Sequence, residues 1–323
     1  MSLKDIKIYK ARGLLYRINS YIFIIEGSIG VIFSLLVLHS SLRVFKKCRS
    51  PHLKISFAIL ILDFILCLVM IVMGISANVN GKYLATHTWF CGFVDIFYIG
   101  STYISIWYVA LMSLERGLLI IHKISFPLWL WIAIMISEVM IFLVLNIFSI
   151  SFNQMGLAEL AIYCISTPDR PTGYITIIWY FAMMCINLLI VTYSYTGIAI
   201  MQRRRAWKDI RELNMDKNDT LRRANSIIKK VLFLLFLFLA CNMLEIINTV
   251  IELSTSKARS AAADFASIMM LNCNPIINCI ILIQFHESIK ISLIETYPIL
   301  AKIFWKRSHQ AQINSVLNNT SHN

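Results

Sequence analysis

The chain reads as an all-α membrane protein, a seven-transmembrane helix bundle with a short amphipathic eighth helix. Two observations carry that reading. Hydrophobic residues make up 58% of the 323 residues against 15% charged, and the mean hydropathy is +0.71, far from the balance of a water-soluble domain. The apolar residues also gather into seven runs, near 19–41, 54–77, 91–114, 127–150, 174–201, 227–252 and 262–284, each long enough to cross the hydrocarbon core. Lipid offers backbone N–H and C=O groups no partner, so runs of this length satisfy themselves as helices rather than as barrel strands.

The elements follow in order. Residues 1–18 form an N-terminal arm whose Lys4, Lys7, Lys10, Arg12 and Arg17 lead into the first apolar run. That run is too long for a signal core and lacks a small-residue cleavage site, so it is expected to remain as the first helix. The bundle, 19–284, holds no repeat and leaves no room for a soluble domain. Basic residues in short loops set its orientation. The loop after the first helix carries Arg43, Lys46, Lys47, Arg49 and Lys54 with no acid, and the 202–230 loop holds ten Lys or Arg against four Asp or Glu. Both are expected in the cytoplasm. The loop 78–90 has Lys82 alone, and 152–173 balances Glu159 and Asp169 with Arg170, so both read as external. The N-terminus is then outside, against the charge of its own arm, which the two basic loops outweigh. The net charge of +13 is a topology signal with a contribution from anionic membrane lipids, and nucleic acid is not an expected partner.

The third segment carries chemistry at both ends. Cys91 and Arg116 stand 25 positions apart, about 37 Å along a helix, close to a bilayer with its headgroups. A thiol lies at one face and the Glu115-Arg116 ion pair at the other. That pair is either a switch or an interfacial pair that snorkels to water. Of eight cysteines, only Cys91 and Cys164 fall at or in external loops. There they bridge in an oxidising compartment, tying the 152–173 loop to the third helix, or stay two free thiols.

Two further signals lie inside the apolar runs. Asp63 is a carboxylate near mid-membrane, costly unless paired, hydrated or metal-bound. Pro275 removes a backbone hydrogen bond and lets the seventh helix deform at Asn274. Past Phe285, His286 to Ile294 alternates polar and apolar groups at roughly helical spacing, which predicts an amphipathic helix on the inner membrane face within 285–305. No cysteine follows it to take a palmitoyl group. The polar 306–323 tail is expected to be cytoplasmic and disordered, leaving the sequons at Asn318 and Asn319 unused.

Together these residues resemble a rhodopsin-like, class A G-protein-coupled receptor across all seven helices. The marks are Asp63, Cys91 with Cys164, Glu115-Arg116-Gly117, Trp129 or Trp131, Tyr195, Phe238 with Cys241, and Asn274-Pro275-Ile276-Ile277-Asn278 followed by Phe285. The resemblance implies a plasma-membrane receptor that binds an extracellular ligand and activates a heterotrimeric G protein. Outward movement of the sixth helix would release Arg116 toward the G protein and Tyr195. The coupling set it implies is Glu115, Arg116, Tyr195, Phe238, Asn274, Pro275 and Asn278. It also implies a sodium site at Asp63, Ser105 and Asn274, the alternative being a protonated Asp63 bonded to water and Asn274. No other cofactor is expected.

By the same resemblance the ligand pocket opens outward between the third, fifth, sixth and seventh helices. Its candidates are Tyr98, Thr102, Trp179, Glu245, Asn248 and Asn272, polar or amphipathic groups in the outer half of the bundle. Glu245 either pairs a cationic ligand or bonds to Asn248 or Asn272. Departures from the family pattern mark a divergent member. The sixth helix lacks the tryptophan and proline, Asn187 replaces a proline, Asn278 replaces a tyrosine, and Leu35 or Ser34 and Met270 stand where polar groups are usual.

Rival classes are weaker. Residues 261–284 contain no lysine for retinal, and the seven histidines sit at helix ends, loops or tails, unsuited to a zinc hydrolase. An enzyme is not expected. The serious alternative is an ion channel or transporter using Asp63 and Glu245, although such folds often show repeats or broken helix pairs.

Overall fold

The computed structural model describes residues 7–10, 13–45, 51–166, 171–255 and 259–298. Lys4, Arg12, Lys46, Lys47, Arg49, Asp169, Arg170, residues 299–305 of the expected eighth helix and the whole 306–323 tail lie outside these. Among the described residues, seven helices are long and apolar enough to cross a membrane. They are α1 (Leu14–Phe45), α2 (Pro51–Asn80), α3 (Trp89–His122), α4 (Leu128–Ser151), α5 (Pro171–Glu212), α6 (Lys217–Thr255) and α7 (Ala261–Gln284), and each covers an expected apolar run. A ten-residue helix, α8 (Glu287–Thr296), follows.

Three boundaries differ from the sequence expectation. The first helix begins at Leu14, inside the expected arm. The 202–230 loop is mostly helix: α5 runs 42 residues, about 63 Å at the helical rise, roughly twice the hydrocarbon thickness. Only Leu213 to Asp216 connect it to α6. Arg, Lys and Glu are good helix formers that need no burial, so the polar stretch extends both helices, with Arg203 donating to Asn225 across them at 2.8 Å. Finally, the 152–173 loop contains an antiparallel hairpin, β1 (Met155–Leu157) against β2 (Cys164–Ser166), with Leu157 opposite Cys164.

The helices close into a ring around α3. α1 packs on α2, α2 on α3, α3 on α5, α5 on α6 and α6 on α7, and α7 returns to α1 and α2. Fourteen residues of the central Gly100–Gly117 stretch are buried, whereas α4 buries only Trp131, Phe142, Asn146 and Ser149. The outward faces carry Ile136, Leu189 and Phe236, all more than half exposed, as lipid requires. α1 approaches α2 closely at Gly74, where a Cβ would lie 2.7 Å from the Ser20 carbonyl. Likewise, a Cβ on Gly100 would lie 2.6 Å from two ring atoms of Phe142.

Two features make α3 and α7 irregular. In α3, π-helical turns at Asp95–Ile99 and Leu118–His122 flank the ordinary stretch. The α7 span breaks at Cys273, so that Ala261–Asn272 and Asn274–Phe285 are separate helices with Pro275 in the first turn of the second. Proline has no N–H to return to the preceding turn, which accounts for the break at the position the sequence marks as deformable.

The Gly100 contact predicts that Gly100→Ala forces Phe142 to move and destabilises the protein by about 1–3 kcal/mol. Thermal unfolding of the detergent-solubilised protein checks this, with an unchanged midpoint counting against the contact.

Candidate functional site

The site has three layers, joined by α3 and α7. At the Arg116 end, Arg116 closes the central stretch of α3 and its Nη2 donates to Nε2 of His286 at 3.0 Å. Glu115, its acidic neighbour, has a carboxylate oxygen 3.8 Å from Nδ1 of His52. The two imidazoles stack with centroids 5.1 Å apart, and the Ser56 hydroxyl lies 3.1 Å from Nε2 of His286. Accepting from a guanidinium requires a lone pair, so the His286 ring is neutral. Burial, then the charges of Arg116 and His52, push its pKa down to about 3. Because this lies below the ordinary histidine value, the unfolded chain binds the extra proton first, and stability falls as pH drops below about 6.5.

Tyr195 of α5 is fully buried, as is Phe238 of α6 at 3% exposure. The sequence reading named Arg116, Tyr195 and Phe238 and missed both histidines. His52 and His286 stand 234 positions apart, so no local spacing announces their meeting.

The middle layer centres on Asp63, which is wholly buried. Ser105 donates to its Oδ1 at 2.6 Å, and the Asn278 amide donates to its Oδ2 at 3.1 Å. The expected third member, Asn274, is elsewhere: its amide reaches Oδ1 of Asn242 in α6 at 3.4 Å. The break at Cys273 restarts the helix at Asn274, and it is Asn278, one turn further on, that meets α2 and α3. Ser34, which stands near the family's first-helix asparagine, faces Cys279 instead. Asp63 and Ser105 bring together oxygens of the kind a hard cation takes, with Asn278 rather than Asn274 bonded to the carboxylate.

At the Cys91 end, the disulfide between Cys91 and Cys164 is formed. It draws the hairpin loop into the mouth of the bundle, where Leu157, Leu160, Ile162 and Tyr163 are all buried. Tyr163 lies over Tyr98 with ring centroids 5.7 Å apart, and Tyr98 in turn meets Phe23 at 5.5 Å. The Tyr98 hydroxyl donates to Oδ1 of Asn272 at 2.8 Å. Thr102 bonds to the Tyr98 carbonyl, Asn248 donates to the Ala263 carbonyl, and Trp179 is half-buried. Tyr98, Asn272 and Glu245 are thus all buried at the end of the bundle that the loop covers, while Thr102 and Asn248 use their side chains to hold backbone.

Glu245 does not meet Asn248 or Asn272. Arg259, from the loop between α6 and α7, grips its two oxygens at 2.8 and 2.9 Å, donates to Glu252 at 2.8 Å and stands 3.7 Å from Asp264. Asp264 completes the roof by accepting from the Tyr163 hydroxyl and from the Leu160 amide. Burial alone would lower the Arg259 pKa; Glu245 and then Tyr163 outweigh it and hold the guanidinium charged above its ordinary value. One arginine therefore ties α6, α7 and, through Asp264, the loop. An intramembrane acid is expected to find such a partner, but the partner's place in a loop hides it from a segment-by-segment reading.

Asp95, in the outer π turn of α3, was also missed. It is wholly buried, and among the described residues neither of its carboxylate oxygens meets a hydrogen-bond partner; nor, among them, does the buried hydroxyl of Ser166 in β2. A π turn often marks a functional position, and an acid inside an apolar run was the available signal. Among the described residues, no three His, Cys, Asp or Glu side chains come together to hold a metal.

Removing the guanidinium in Arg259→Met leaves two or three buried carboxylates without their cation, with an expected loss of about 3–5 kcal/mol. Tyr163→Phe deletes one hydrogen bond to Asp264 and is expected to cost about 1–3 kcal/mol. Asp95→Leu removes an uncompensated polar group and is expected to stabilise by about 1–3 kcal/mol. Thermal midpoints in one detergent rank the three; equal midpoints for Arg259→Met and the parent chain would refute the clamp.

A family model described as 7 transmembrane receptor (rhodopsin family) matches residues 34–282. The chain matches no curated protein.

Proposed function

Because the chain belongs to the rhodopsin family of seven-transmembrane receptors, we propose that it binds an extracellular ligand and activates a heterotrimeric G protein. It sits in the plasma membrane with the Cys91 end outside and the Arg116 end inside. The ten basic residues on the extensions of α5 and α6 support that orientation and meet the anionic inner leaflet. The observation that carries the reading is Arg116, a guanidinium at the inner end of the most buried helix that donates to the neutral ring of His286.

The ligand acts at the loop-covered cluster of Tyr98, Glu245 and Asn272, where Arg259 and Asp264 join α6, α7 and the loop. A ligand that repacks those contacts changes how α6 sits against α7. The Asn242 to Asn274 contact carries that change inward, α6 swings out, and Arg116 turns toward the G protein and Tyr195. With the sixth-helix tryptophan absent, amide contacts do the relaying.

Nucleotide exchange on a co-expressed G protein tests this. Arg116→Ala is expected to abolish stimulation while the protein still reaches the surface. Ion flux that needs no G protein and survives Arg116→Ala would instead establish the channel or transporter reading.

A further inference from the structure

Asn278 and His286 lie on one short piece of chain. The Pro275 break separates it from the rest of α7, so that Asn274–Phe285 is its own helix and His286 follows directly as the first residue before α8. One end of this piece reaches Asp63 through Asn278, and the other reaches Arg116 through His286. α8 anchors it: Ile289 and Leu293 are buried, and Ser292 donates to the Ser40 carbonyl of α1 at 3.0 Å.

His286 is buried at 5% exposure. The groups against its ring are Arg116 from α3 and His52 and Ser56 from α2, with Glu115 beyond His52. A carboxylate in this place would pair with the guanidinium through charge as well as hydrogen bonding. A neutral ring supplies one acceptor lone pair and no countercharge, which makes a hold that can be released.

We propose that His286 is the positioning residue for Arg116, a neutral latch that keeps the guanidinium turned toward α8 in the closed receptor. The latch opens when the Asn274–His286 piece shifts about the Pro275 break. Its sense as a control on signalling rests on the receptor reading above. Its existence as a coupling between the two residues does not.

The test uses the full chain. His286→Phe keeps an aromatic ring without an acceptor, and His286→Gln restores one. In nucleotide exchange with a G protein, His286→Phe is expected to raise basal activity roughly tenfold, the loss of one hydrogen bond to a charged group, with His286→Gln returning close to the parent level. A second measurement needs no G protein: hydrogen exchange of the 287–296 amides in detergent for His286→Phe, Arg116→Met and both together. His286→Phe is expected to speed exchange in the parent and to add little once Arg116 is gone. Equal increments with and without Arg116, or a Gln variant as active as the Phe variant, would overturn the latch. If no form stimulates any G protein, the receptor reading fails, and the hydrogen-exchange cycle alone decides whether His286 holds Arg116.

Discussion

Lipid cannot hydrogen-bond, and the arrangement of this bundle follows from that constraint. Every polar side chain inside the apolar runs must find its partner within the protein or remain at a cost. Asp63 finds Ser105 and Asn278, Tyr98 finds Asn272, Asn146 finds Tyr180, and Glu245 finds Arg259. Each pair joins different elements. Because apolar surfaces gain little by leaving lipid for one another, these pairs select which helix faces which, and close approaches such as Gly74 on Ser20 add the packing.

The same constraint gives the molecule its layers. At the Cys91 end, the disulfide and the Arg259 cluster seat a loop inside the bundle mouth. In the middle, Asp63 is held by donors from α3 and α7. At the Arg116 end, two stacked histidines stand between the acid and the arginine of the sequence pair. A π turn or a proline break lies beside each layer, at Asp95–Ile99, Cys273–Pro275 and Leu118–His122. Regular helices carry load between the layers, and the irregular turns are where they can change shape. Asp95 and Asn19 depart from the pairing: both are wholly buried, and among the described residues their side-chain polar atoms meet no partner, which costs stability.

Much of this was legible before the coordinates. The seven runs, the Cys91 to Arg116 spacing, the Cys91 to Cys164 bridge and the deformable Asn274-Pro275 step all follow from local composition or short spacing, and each has its structural counterpart. The errors share a cause as well. The polar extensions of α5 and α6 looked like a loop because length and hydropathy detect apolar runs, whereas helix propensity and packing of one extension on the other, with Ala206 and Ala224 buried, extended them. Asn274 was placed beside Asp63 by motif, whereas the break at Cys273 put Asn278 there.

The sequence by itself determined the number of helices long and apolar enough to cross a membrane, the apolar run at the centre of each, and which acids would need partners. These are properties of single segments in contact with lipid, and a one-dimensional pattern records them. Tertiary structure decided which partner each acid or cation received: Arg259 for Glu245, Asn278 for Asp63, His286 for Arg116. Such choices depend on helix rotation, on a one-turn offset after a proline, and on loops that fold back into the bundle, so residues far apart in sequence meet at distances that no spacing in the chain specifies.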